Sequence, residues 1–97
     1  MGRPSPTLGR RDGNEREIIE ALKQVGCDVR YLNWPADLLV GNAGRNYLLE
    51  VKDPEQPPSK RGLTTVEKEF HDNWRGQVAI VETIEEALEA VGLRRKR

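Results

Sequence analysis

The spacing of apolar residues changes period twice along the chain. From about Asn14 to Val25, the residues Ile18, Ile19, Leu22 and Val25 fall on one stripe of a helix. Asp12 to Asn14 supply side chains able to cap its start, and Gly26 stops it. From Cys27 the pattern shortens. Val29, Tyr31 and Leu32 predict a short strand, which Trp34-Pro35 punctuates. Asp37-Leu38-Leu39-Val40 reads as a buried strand, Gly41-Asn42-Ala43-Gly44 as a turn, and Tyr47 to Lys52 as the next strand. The two strands form a predicted β-hairpin.

The stretch 53–62, with Pro54, Pro57, Pro58 and Gly62, reads as a loop. Thr64-Thr65-Val66-Glu67 has capping-box form and opens a helix expected to reach about Trp74, where Gly76 ends it. Gln77 to Val81 is a strand. Thr83-Ile84-Glu85-Glu86 predicts a second capping box and a helix to about Val91, stopped by Gly92. The resulting order, α-β-β-β-α-β-α, is an α/β arrangement with a mixed central sheet flanked by helices. Residues 1–13 read as a flexible lead-in, 14–92 as the domain and 93–97 as a basic tail.

Composition sharpens this outline. The chain has 97 residues and is only 36% hydrophobic, so one modest core is expected and a homodimer is a natural way to bury more apolar surface. Sixteen basic and sixteen acidic residues balance to zero net charge. The distribution is uneven, with Arg3, Arg10 and Arg11 near the start, Lys60 and Arg61 mid-chain, and Arg94 to Arg97 at the end. Cys27 is the single cysteine, which excludes an intramolecular disulfide and predicts a small buried residue. No apolar stretch is long enough to span a membrane, and the N-terminus has no secretory core, so a cytoplasmic setting is expected.

The chemistry concentrates on the hairpin. Side chains alternate along a strand, so Glu50 and Lys52 share one face while Tyr47, Leu49 and Val51 share the other. If 38–40 pairs antiparallel with 47–51, Asp37 lies at the same end as Glu50 and Lys52. Two carboxylates held close together repel unless a cation lies between them. Mg²⁺ or Mn²⁺ prefers oxygen ligands, which Asp37, Glu50 and the Val51 carbonyl could supply. Lys52 is then expected to orient or deprotonate water, or to hold charge on a phosphate. The first helix adds Glu15, which its phase directs inward with Ile18, Ile19 and Leu22, while Glu17 and Glu20 point away. An inward carboxylate needs a partner, either at the metal site or in the helix dipole.

These residues resemble the PD-(D/E)XK nuclease superfamily, with Pro35-Ala36-Asp37 followed by Glu50-Val51-Lys52. The VRR-NUC branch, whose stand-alone members occur in phages and bacteria, is similar from Asn14 to Val91. Its features here are Asp37-Leu38-Leu39-Val40, Leu49-Glu50-Val51-Lys52, Leu63-Thr64 before a helix with Phe70-His71, and the strand Val78 to Val81. Asn14 to Ile18 also looks like the first helix of archaeal Holliday junction resolvases, with Glu15 at the acidic position. The chain departs from the family where Ala36 separates Pro35 from Asp37 and where Glu67 stands in place of a common Gln. The resemblance implies a restriction-endonuclease-like fold and metal-dependent DNA cleavage. Asp37 and Glu50 would be the ligands, Lys52 the catalytic lysine, and a homodimer acting on branched DNA the functional unit.

Lys60, Arg61, Thr64 and Arg11 are the expected DNA contacts, Thr64 through the N-terminus of its helix. Trp34 and Tyr31 are read first as core or dimer packing and second as stacking groups for exposed bases. His71 is read as a surface or dimer contact, ahead of a general base. Two alternatives remain open: a catalytically silent module binding DNA or protein, and a nuclease acting on RNA or single-stranded ends.

Overall fold

A computed structural model describes residues 13–60 and 62–93, with only the backbone described at Lys60. The elements are α1 (Glu15–Gln24), β1 (Asp28–Tyr31), β2 (Leu38–Asn42), β3 (Arg45–Val51), a 3₁₀ turn (Pro58–Lys60), α2 (Thr65–Asn73), β4 (Val78–Val81) and α3 (Ile84–Ala90). This is the expected order. One four-stranded sheet runs β1-β2-β3-β4. The first three strands are antiparallel neighbours, and β4 lies parallel to β3. The parallel pair needs a crossover, and the segment carrying α2 provides it.

The predicted hairpin forms, with Leu38 opposite Leu49 and Val40 opposite Tyr47. Its turn is tighter than expected. Asn42 pairs with Arg45, so only Ala43 and Gly44 make the connection. Both have positive φ, 54° and 81°, as a two-residue turn matching the strand twist requires.

One face of the sheet carries the core. Leu38, Val40, Tyr47, Leu49, Val51 and Val81 pack with Ile18, Ile19 and Leu22 of α1 and Ala87, Leu88 and Val91 at α3. Cys27 is buried there as expected, and burial together with Asp28 pushes its thiol pKa up. Strand alternation sends Leu48, Glu50 and Lys52 to the other face, where α2 lies: its Glu67 reaches Lys52. No residue of α2 is fully buried.

Several local expectations need correction. Val25 is exposed, because the helix ends at Gln24 and Val25 is its C-cap, turned off the apolar stripe. Asn14 occupies the N-cap position but makes no side-chain cap bond, because its own φ and ψ are already helical. Its amide is used elsewhere, as described below. Thr64 and Glu67 form the full capping box. At α3 only half of the second box is present. Thr83 accepts from the Glu86 N–H, but the Glu86 carboxylate accepts from the Glu82 N–H at 2.7 Å, one residue further back. Trp34 and Tyr31 are both about half exposed, which removes them from the core.

Candidate active site

Asp37 precedes β2, and two bonds fix it against the end of β3. Its N–H donates to the Leu49 carbonyl at 3.0 Å, and its carboxylate accepts from the Val51 N–H at 2.8 Å. The side chain thus takes the N–H that a further ladder residue would otherwise satisfy. In a strand, one residue's N–H and C=O face the same neighbour, so the Val51 carbonyl is directed to the Asp37 side.

Glu50 sits one residue away, buried at 5% exposure. Burial pushes its pKa up to about 7, and the nearby Asp37 and Glu67 charges push the same way, while Lys52 opposes them. The Lys52 ammonium lies 3.3 Å from Glu50 Oε2 and 4.0 Å from Glu67 Oε1. Among the described residues, the Asp37, Glu50 and Glu67 carboxylates and the Lys52 ammonium share this end of the sheet.

The start of α1 is tied to the same place. The Asn14 amide donates to the carbonyls of Lys52, at 3.0 Å, and Glu82, at 2.9 Å. One side chain thus joins the ends of the two parallel strands to the N-terminus of α1. Its Oδ1 is buried without a hydrogen-bond partner. Glu15 follows directly and is buried at 3% exposure, as its helix phase predicts. Among the described residues, no three His, Cys, Asp or Glu side chains come together as a group that could hold a metal ion.

The sequence pattern reads Glu67 as a cap, and the resemblance marks it as the position of a common Gln. Its Oε1 accepts from the Thr64 N–H at 3.0 Å while facing Lys52, so one carboxylate serves both helix and site. The box also commits the Thr64 hydroxyl, which accepts from the Glu67 N–H at 3.2 Å. A phosphate at this helix start would meet the Glu67 carboxylate. His71 follows Glu67 by one turn. It is half-buried, and its Nε2 is enclosed without a hydrogen-bond partner. Arg11, Arg61 and the basic tail 94–97 lie outside the described residues, as does the Lys60 side chain.

No described helix is long and apolar enough to cross a membrane. No family model, no curated protein and no solved structure matches the chain.

Proposed function

We propose that the chain is a divalent-metal-dependent DNA endonuclease that hydrolyses phosphodiester bonds, selects branched or junction DNA and acts as a homodimer. One observation carries this reading: Asp37, Glu50 and Lys52 meet at the end of β3, with Glu50 buried and within the field of the Asp37 charge. Ionising a buried carboxylate beside another is costly unless a cation joins them. Mg²⁺ or Mn²⁺ fits the donors present. Mg²⁺ keeps much of its water and needs only one or two carboxylates beside a substrate phosphate. Asp37 and Glu50 would hold it, with the Val51 carbonyl as a further oxygen. Bound there, the ion supplies charge stabilisation to the phosphate undergoing attack.

The remaining work falls to the chain's own groups. The Val51 N–H fixes one Asp37 oxygen and so orients the carboxylate. Lys52, held between Glu50 and Glu67, is placed to orient water or to hold charge on a phosphate oxygen. Asn14 fixes the Lys52 backbone from behind. A silent binding module of the same fold would have no use for clustered carboxylates, which repel phosphate. The resemblance to the PD-(D/E)XK superfamily supports the same roles for the same three residues.

The test is a cleavage panel of labelled four-way junction, flap, duplex and single-stranded DNA, with and without Mg²⁺ or Mn²⁺. Metal-dependent cutting of at least one branched substrate is expected, lost in Lys52→Ala and Asp37→Asn. No metal-dependent cutting of any substrate removes the nuclease reading, and cutting that survives both substitutions removes the site.

A further inference from the structure

Beside the candidate site lies a cluster of rings that the proposed chemistry does not use. Trp34 meets Phe70 edge to face, with centroids 5.9 Å apart. Phe70 stacks on Trp74 at 5.1 Å. Trp34 and Trp74 are 54% and 47% exposed, and Val66 beside them is also exposed. With Phe70 they line one shallow groove. The Trp74 indole also lies over Gly76, where an added Cβ would come within 2.6 Å of its Nε1, so a side chain at 76 would displace it. Exposed and mutually packed, the rings form one surface.

The cluster adjoins the site through both of its elements. Trp34 precedes Asp37 by three residues. Phe70 follows Glu67 by three on α2, less than one helical turn or about 5 Å along the axis. Its size bears on the occupant. Two half-exposed indoles and one mostly buried phenyl, of about 150–250 Å² each, offer with one Val roughly 400 Å² at most. A stable protein interface needs about 800 Å² from each partner. The patch is too small for a second copy of this chain and matches one or two flat rings.

We propose that Trp34 and Trp74 stack an unpaired nucleobase of the DNA strand whose phosphate occupies the site. This rests on the nuclease reading and extends it to a substrate class, DNA with an unpaired base next to the cut. Base–aromatic stacking is sequence-tolerant, because every base has a π-face, and a duplex keeps its bases stacked on one another.

Trp34 and Trp74 are the only tryptophans in the chain, so intrinsic fluorescence reports on them alone. The probe is a short oligothymidylate, titrated into Lys52→Ala protein without metal, with a blunt duplex as control. Oligothymidylate is expected to quench the fluorescence. Trp34→Ala and Trp74→Ala, added singly to that background, should each weaken its binding about tenfold and change duplex binding less than about twofold. Absence of quenching overturns the proposal, and so does an equal loss on the blunt duplex. It is also overturned if sedimentation shows that these variants convert an associated species to monomer, because a second copy then covers the patch. Wild-type cleavage is scored separately. Metal-dependent cutting without quenching removes the platform and keeps the nuclease. Quenching without cutting removes the nuclease and leaves a site for single strands.

Discussion

Glu50 is the residue on which the site turns. Its pKa is raised from 4.5 to about 7 by burial first and by Asp37 and Glu67 next. The folded state therefore favours the protonated form. The stability this gives is fully present below pH 4.5 and is lost as pH rises through 7. A shift of that size is worth on the order of 3 kcal/mol. Glu50→Gln should flatten this dependence, so that the variant gains on the wild type as metal-free denaturation is moved from pH 5 to pH 8. Equal pH profiles for the two proteins would mean that Glu50 is not the group responsible. Lys52 answers to activity instead. Lys52→Ala should leave the fold intact and lower kcat at least about a hundredfold, as losing a positioned charge donor does. A KM change with kcat unaltered would place it in binding alone.

Elements decide which of these residues meet. The pairing of Glu50 with Lys52 followed from strand alternation alone, because a period of two leaves no other choice. Asp37 needed the hairpin, and the side-chain bond to Val51 that holds it carries no signal in the sequence. Glu15 was found from helix phase. Asn14 looked like a cap and bridges two strands instead, and Glu67 looked like a cap and is both cap and site neighbour. Polar side chains with several possible partners are settled only by tertiary packing. Glu67→Gln separates the two roles. Gln can keep the capping box, but the substitution removes one of the charges that raise Glu50. The acid limb of the cleavage profile should move to lower pH with little change in Tm. An unmoved limb would show that Glu67 serves the helix only. In the β2–β3 turn, Ala43 takes a left-handed conformation that Asn tolerates better. Ala43→Asn should raise stability by about 1 kcal/mol in chemical denaturation, and a loss of stability would count against the two-residue turn.

Across the whole molecule, the sheet separates two tasks. One face, with α1 and α3, carries the core, and the other presents Glu50 and Lys52 beneath a largely exposed α2. The apolar pattern made this division readable, because Tyr47, Leu49 and Val51 alternate with Leu48, Glu50 and Lys52. The aromatic patch was not readable. Only the packing shows that Trp34 and Trp74 stay about half exposed, with Phe70 partly buried between them. If the division holds, stability and activity should be separable, with Leu49→Ala costing about 2–5 kcal/mol of folding free energy and the site substitutions far less. The central claim is that Asp37 and Glu50 together form a cation site. Calorimetric titration of Mn²⁺ into the wild type, Asp37→Asn and Glu50→Gln at pH 7 tests it most directly. Saturable binding to the wild type, with proton release from Glu50 and loss in both variants, is the predicted result. No binding to the wild type, or equal binding to all three proteins, would contradict it.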